Sequence, residues 1–362
     1  MEICSEEAVK YVWEGAIPLQ IHLHESEVTT LPPPAPVLVL GYRIGYLPLL
    51  IPQIKPHFDS TLPPGVDTVW FDYKGVPLKW YIPTGVLFDL LCPEPERPWN
   101  LTVHFRGYPG ELLTPCDGEE AVKWSFINSL KEAAYIINGN CKSIMNMSQA
   151  DQYELWQSVL NGTLENYSRV VPRLKLGVLR EDCKMRSISR SQQVTGETND
   201  SLPNQTGRIP VRLYIRNVED IDDLEGIGAL DSWEKISYIN RPVENHDEGG
   251  LFTLRRAMES LLPELFGPSS PSPGESKTKD EAGGEDGDSE TAGGAQDAAA
   301  GEPPEAAQQE THTAQMARIR LIRVQGIVPG WDTPFAWVVN NLSHPDFFLH
   351  VCVLVSASQG SH

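Results

Sequence analysis

A short proline-led pattern occurs twice, once in each half of the chain, and it constrains the fold more than any other feature. Pro83 precedes the apolar segment GVLFDLL, and Pro98 leads into WNLTVHF. Much later, Pro334 precedes FAWVVNNL, and Pro345 leads into DFFLHV. Proline suits the first turn of a helix and the first residue of a strand. Each copy therefore predicts a short helix followed by a closing strand that contains a histidine.

The segments before the two copies predict a similar order of strands. In the first half, IPLQIHL and PVLVLGYRIGY are typical of strands, and VWFDYKGVPLKWY predicts a strand pair that turns at Lys74-Gly75. In the second half, RIPVRLYIR and KISYINRPV predict two strands, and Thr253 can cap a helix over LRRAMESLL. The strand RIRLIRVQGI then precedes the second copy. This order is that of a ubiquitin-like β-grasp, so we expect the same small fold twice.

The region between the two predicted β-grasp units is mostly helical. Asp117 and Glu120 resemble a capping box just before AVKWSFINSLKEAAYII. Lys131 lies in this helix just outside an apolar stripe, near Trp124 and Tyr135. The stripe consists of Val122, Phe126, Leu130, Ala133, Ala134 and Ile137.

Polar segments divide the chain into domains. The formal net charge is −20, and residues 267–313, with eleven acidic residues and two lysines, carry −9 of it. This segment has no large apolar side chain, which predicts a disordered insertion. The polar stretch 187–206 predicts a linker. The predicted domains are an N-terminal helix (1–16), a first ubiquitin-like domain (17–110), a helix-rich domain (115–186) and a second ubiquitin-like domain (207–358) that holds the insertion.

The acidic balance argues against nucleic acid as a partner, because binding to a phosphate backbone needs clustered Lys and Arg. A loose basic run from Arg169 to Arg190 could make peripheral contact with phospholipid headgroups, but a solvated helix end and linker are the favoured interpretation. Six cysteines without metal-site spacing and an N-terminus without a signal-peptide pattern indicate a cytoplasmic protein. We expect no cofactor.

Few residues suggest enzyme chemistry. His22 and His24 share one face of a strand, but no third ligand is evident, so we predict no metal site. Cys116 precedes a predicted helix, which could lower its pKa and make it a thioester nucleophile. No histidine is positioned beside it by the sequence, so an unreactive thiol is the favoured interpretation. The chain ends in LVSASQGSH, without the terminal glycine of a ubiquitin-like modifier. The chain as it stands is therefore not such a modifier, although it could receive one.

Four long segments closely resemble the autophagy protein 5 family. They are VWFDYKGVPLKWYIPTGVLFDLL, PWNLTVHF, FINSLKEA and TPFAWVVNNLSHPDFFLHV. They run through all the predicted folded regions in the family's order, and the insertion 267–313 is the main departure. The resemblance implies an α+β fold in which two ubiquitin-like β-grasp domains flank a helix-rich domain.

The resemblance also implies a function. Members of the family are joined to the C-terminal glycine of autophagy protein 12 through one lysine, with the modifier's activating and conjugating enzymes. The lysine of the LKEA-type motif is Lys131 in this sequence. The family's conjugate works with the coiled-coil autophagy protein 16 at the pre-autophagosomal membrane. There it promotes attachment of autophagy protein 8 to phosphatidylethanolamine, as a ligase-like scaffold without a catalytic residue of its own.

The residues alone do not single out Lys131 among twelve lysines, because most helix lysines are simply solvated. An acceptor needs an exposed amine next to a surface on which the modifier can rest, and a lysine beside two aromatic residues suits that description. Two alternatives stay open. One is a thiol-dependent transferase that uses Cys116 or another cysteine, and the other is an adaptor that binds partners without being modified.

Overall fold

The structure is a computed structural model, and it describes residues 5–176, 207–218, 228, 230–244, 252–266 and 317–357. The predicted linker 187–206 and the predicted insertion 267–313 lie outside these ranges, as does the predicted helix-rich domain beyond residue 176. Among the described residues, none of the helices is both long and apolar enough to cross a membrane.

The first β-grasp unit is a five-stranded mixed sheet preceded by helix α1 (Ser5–Glu14). Its strands are β1 (Ala16–Leu23), β2 (Val37–Tyr42), β3 (Trp70–Tyr73), β4 (Val76–Pro77) and β5 (Trp99–His104), and its helices are α2 (Ile51–Phe58) and α3 (Thr84–Leu91). The strand order is β2-β1-β5-β3-β4, with β1 parallel to β5. The predicted hairpin turn is confirmed, since Lys74 and Gly75 have the positive φ values of 52° and 85° that a two-residue turn requires.

Four helices lie between the two β-grasp units: α4 (Glu119–Asn138), α5 (Lys142–Met145), α6 (Gln149–Leu160) and α7 (Leu164–Leu174). The predicted apolar stripe of α4 is buried, in one core with residues of the other three. The predicted capping box is wrong, because Gly118 occupies the cap position at a φ of 69° and no side chain bonds to this helix end. Asp117 therefore lies one residue outside the cap.

The second β-grasp unit repeats the strand order of the first. Its elements are β6 (Arg208–Ile209), β7 (Val211–Val218), β8 (Ile236–Asn240), β9 (Val243–Glu244), α8 (Leu254–Leu261), β10 (Ala317–Arg323), α9 (Phe335–Leu342) and β11 (Leu349–Ala357). The main sheet has the order β10-β11-β7-β8, with β8, β7, β11 and β10 in the places of β2, β1, β5 and β3, and β7 runs parallel to β11. The histidines of the two closing strands are not equivalent, since His104 ends β5 whereas His350 is the second residue of β11.

The second sheet contributes residues to two hydrophobic cores, one shared with the first β-grasp unit and one with its own helices. Tyr214 and Cys352 belong to the core that contains helix α3, whereas the core of α8 and α9 also receives residues of α1. Arg216 and Arg323, both buried, reach across to the end of α3. Their guanidinium groups donate to the carbonyl oxygens of Leu90, Leu91, Cys92 and Pro93 at 2.8 to 3.1 Å. Cations at a helix C-terminus satisfy its free carbonyl groups. The two β-grasp units are therefore joined by a buried polar interface.

Candidate functional site

Lys131 lies on a solvent-exposed stripe of helix α4. Its Nζ atom is 3.4 Å from Oδ1 of Asn128 and 5.9 Å from the centre of the Trp124 ring. Trp124 keeps 53% of its surface exposed and Tyr135 keeps 64%. Residues three and four apart are neighbours on a helix surface, so these four side chains form one stripe. Lys131 itself is partly exposed, and it stands on the helix surface between these two more exposed aromatic residues.

A groove of about 590 Å³ borders this stripe. All three folded regions line it, with the first β-grasp unit contributing the segment that follows β4, the bundle contributing α4, and the second unit contributing β7 and β8. Its aromatic lining residues are Trp80, Tyr81, Trp124, Tyr214, Trp233 and Tyr238. No sequence pattern predicted this groove, because tryptophans in patterned segments are core residues by default.

Arg212 on β7 ties the floor of the groove to helix α4. Its guanidinium group donates to Oε2 of Glu132 at 2.6 Å and to Oγ of Ser129 at 3.0 Å. The side-chain amide of Asn240, on β8, also donates to Glu132. Glu132 directly follows Lys131, so these hydrogen bonds fix the turn of α4 that carries Lys131 against the second β-grasp unit.

A buried polar cluster lies beside Arg212. His344, Asp346 and His350 each offer a ligating atom, and these atoms lie within 4.8 Å of one another. Each side chain is already paired within the protein, with His344 bonded to the carbonyl oxygen of Ile44 at 2.9 Å and Asp346 lying 3.5 Å from Arg212. Burial lowers the pKa of His350 to about 4, so this imidazole is neutral at pH 7. The cluster is a polar junction between the two β-grasp units.

Each of the two histidines considered as metal ligands has a polar side-chain partner within the protein. His22 bonds to Gln20 at 3.1 Å, and His24, just after β1, bonds to the hydroxyl of Ser26 at 2.7 Å. Within the described ranges, the junction cluster is the one group of three or more potential ligands that lie close together. The interpretation of His22 and His24 as polar surface residues is therefore favoured.

Cys116 is not an activated thiol. Helix α4 begins three residues later, at Glu119, and burial raises the pKa of Cys116 to about 11. This supports the favoured interpretation of an unreactive thiol, because the loss of hydration outweighs a helix dipole that weakens within one turn. Burial likewise raises the pKa of Cys92 to about 12 and that of Cys352 well above its usual value. These thiols are poor nucleophiles at neutral pH.

The first arginines of the basic run hold two helices together. Arg169 lies 3.4 Å from Glu154, and Arg173 pairs with Asp151, so both arginines of α7 bond to carboxylates of α6. Lys175 ends α7 in a left-handed conformation. These contacts favour the interpretation as a solvated helix end. The remaining residues of the run lie outside the described ranges: Arg180, Lys184, Arg186 and Arg190.

Comparison with known proteins connects these regions to one family. Three family models match the chain: "Autophagy protein ATG5, UblA domain" over residues 12–105, "Autophagy protein ATG5, alpha-helical bundle region" over 119–177, and "Autophagy protein ATG5, UblB domain" over 208–353. The chain belongs to the autophagy protein 5 family. Autophagy protein 5 of Arabidopsis thaliana is 55% identical over 360 residues, which cover 98% of this chain and 99% of that protein.

Two further members of the autophagy protein 5 family match this chain, one in sequence and one in structure. Autophagy protein 5 of Oryza sativa subsp. indica is 55% identical over 370 residues, covering 97% of this chain and 94% of that protein. The crystal structure of Kluyveromyces marxianus Atg5 matches with a TM-score of 0.61 and 18% identity, over 96% of this chain and 99% of that chain. The family resemblance and the α+β fold with two ubiquitin-like domains around a helical bundle are confirmed. The family places this protein in autophagy, and none of the three matched models describes a catalytic domain.

Proposed function

We propose that this chain is an autophagy scaffold that accepts autophagy protein 12 covalently on Lys131. The conjugate binds autophagy protein 16, is recruited from the cytoplasm to the pre-autophagosomal membrane, and promotes attachment of autophagy protein 8 to phosphatidylethanolamine. The observation that supports this proposal most is the position of Lys131. Its amine stands between exposed Trp124 and Tyr135, on the rim of a groove that all three folded regions line.

The reaction requires an amine close to a thioester. The deprotonated nitrogen of Lys131 attacks the carbonyl carbon of the modifier's terminal glycine, which the conjugating enzyme holds as a thioester. A C–N isopeptide bond forms, the C–S bond breaks, and the enzyme's cysteine leaves as a thiolate, while the proton from the nitrogen passes to solvent. Holding the two reactants together supplies most of what such a transfer needs. The exposed aromatic side chains offer the modifier a surface that holds it near the amine.

The fixed relation of the two β-grasp units supports binding of autophagy protein 16 as a helix. A helix that docks in a groove needs apolar anchors held in a constant geometry. The buried bonds of Arg216 and Arg323 to the end of α3 supply that constancy between domains. We place the partner helix across more than one domain. Full-affinity binding of this helix to the isolated second β-grasp unit would contradict that placement.

The acceptor assignment is tested by Lys131→Arg in a reconstituted conjugation reaction. A guanidinium group stays protonated and cannot attack a thioester, so we expect a folded protein and no conjugate. Lys123→Arg is the matched control, since Lys123 lies on the same helix and pairs with Glu120 at 3.3 Å. It should form conjugate at the wild-type rate. Conjugate formed by Lys131→Arg would show that another residue is the acceptor.

The same reaction separates the two rival functions. An isopeptide adduct resists reductant and hydroxylamine, whereas a transferase that used Cys116 would carry a thiol-labile adduct. The raised pKa of Cys116 favours the isopeptide. An adaptor that is never modified would show the mass of the free chain alone on a denaturing gel.

A further inference from the structure

Residues 31–36, with the sequence LPPPAP, form an exposed loop of the first β-grasp unit. Leu31 is 94% exposed, and Pro33, Ala35 and Pro36 are exposed as well. Within the described part of the chain, no backbone hydrogen bond joins residues 33–36 to another segment. The carbonyl groups of this loop are therefore open to solvent and to a partner.

The sequence of the loop fixes its conformation. Pro33, Pro34 and Pro36 hold φ near about −65° through their rings. Pro33 and Ala35 each precede a proline, which disfavours the helical region for them. Residues 33–36 therefore lie in or near the polyproline II conformation, which has about three residues per turn. Pro33 and Pro36 consequently lie on the same edge of the segment, as in a P-x-x-P ligand.

The fold presents this loop in a fixed position. Before the loop, the backbone N–H and the hydroxyl of Thr29 both donate to the carbonyl oxygen of Thr61, at 3.0 and 2.6 Å. After it, Val37 pairs with Ile21 in the sheet. A segment that is already ordered loses little conformational entropy when a partner binds it. The loop also continues into an apolar surface on β2, where Leu38 is 70% exposed and Leu40 is 65% exposed.

We propose that residues 31–40 are a docking site for a protein domain that binds polyproline II segments in an aromatic-lined groove. Residues 28–42 contain no charged side chain, and this absence of charge narrows the class of domain that can bind here. A domain with an acidic pocket for Lys or Arg beside the P-x-x-P segment finds no counterpart in this loop. The partner therefore has an uncharged aromatic groove. The site shares no residue with the groove beside Lys131 and does not depend on the conjugation chemistry.

The test titrates the full chain with three purified probe domains and follows binding by calorimetry. A WW domain and profilin supply aromatic grooves, and an SH3 domain supplies an acidic specificity pocket. We expect saturable binding to at least one of the first two, tighter than to the SH3 domain. Pro33→Ala/Pro36→Ala should weaken that binding at least ~10-fold. Pro64→Ala, at an exposed proline of another loop, should leave it unchanged.

Circular dichroism establishes that each variant is folded, and Pro36→Ala alone replaces the double variant if that one unfolds. Three results would overturn the proposal. They are no saturable binding of either aromatic-groove probe up to ~1 mM, equal binding by wild type and the proline variant, and tightest binding by the SH3 domain.

Discussion

Two lysines near the same groove differ in where they lie, since Lys79 lines the groove and Lys131 lies on the helix beside it. Lys79 belongs to the groove lining, with its Nζ atom 4.6 Å from the centre of the Trp233 ring, and burial lowers its pKa. Lys131 lies on the rim, on a stripe with two exposed aromatic rings. A lower pKa leaves more of the Lys79 amine in its free, nucleophilic form at neutral pH. Position and the family motif favour Lys131.

The two lysines therefore differ in how easily a bulky conjugating enzyme can approach their amines. A thioester on a conjugating enzyme is bulky, and it reacts with the amine that the docked complex holds at attack distance. A lysine inside a groove is open to small reagents, whereas a lysine on an exposed helix stripe is also open to a protein surface. Four measurements test this difference between the two lysines, and the first concerns the buried polar cluster beside Arg212.

The largest effect is expected when the buried polar cluster beside Arg212, which adjoins the groove, is acidified. His350 is buried among Tyr214, Asp346, His344 and Arg212, and its pKa is about 4 in the folded protein against about 6.5 unfolded. Because the fold favours the neutral imidazole, its contribution to stability is fully present above pH 6.5 and is lost as the pH falls through 4. That contribution amounts to about 3 kcal/mol, measurable by urea unfolding at a series of pH values.

The control for this pH dependence is a histidine on the surface. His350→Gln should flatten the fall in unfolding free energy between pH 6.5 and 4, whereas exposed His57→Gln should retain it. The same slope in His350→Gln and wild type would show that other groups cause the acid sensitivity. In the pH range where wild type unfolds, the burial that distinguishes Lys79 from Lys131 should also be lost.

The next effect concerns the rim. Trp124→Ala removes an exposed ring beside Lys131 and should lower kcat/KM of conjugation roughly 30-fold, since a tryptophan at the centre of an interface contributes about 2 kcal/mol. The loss should appear in KM for the charged conjugating enzyme, because the chemistry of the amine is unchanged. Tyr153→Ala, at another exposed aromatic residue of the bundle, is the control. An equal loss in both variants would show that the aromatic residue beside Lys131 is no more important for conjugation than another exposed aromatic residue of the bundle.

A smaller effect should distinguish the lining lysine. With a small amine-acylating reagent, followed by peptide mass spectrometry, the reaction of Lys79 should reach its half-maximal rate at a lower pH in the folded chain than in urea. The reason is that burial beside Trp233 disfavours the ammonium form, and unfolding removes that burial. Identical pH profiles in both states would mean that the groove does not alter this amine, and the contrast with Lys131 would rest on position alone.

Local rules in the sequence predicted most of the fold but little of the site. The prolines before α3 and α9, and the alternation in β7, encode elements directly, so they were predicted. Trp80 and Trp233 are only partly buried, since they line a groove where separate domains meet, and no local pattern carries that information. The same holds for Cys116, whose burial in the fold outweighed a helix end that could be read locally. Lys131 was chosen by the family motif, because its helical neighbours alone describe an ordinary surface lysine.

The smallest effect is expected from a deletion in a segment far along the chain from Lys79 and Lys131. Deletion of residues 269–311 removes eleven acidic residues and two lysines, and these lie outside the described ranges. The residues on either side, Leu265 and Ile319, pack against the same core as α8 and α9, so a shorter connection can still join them.

Loop-closure free energy changes by only about 0.6 kcal/mol for each twofold change in length. The deletion variant should therefore unfold cooperatively, with an unfolding free energy within about 1 kcal/mol of wild type. It should form conjugate on Lys131 and keep the pH profile of Lys79. Loss of cooperative unfolding would show that the segment belongs to the second β-grasp fold. Loss of conjugation in a stably folded variant would instead place the segment in contact with the conjugating enzyme, and the choice between the two lysines would then depend on more than the groove.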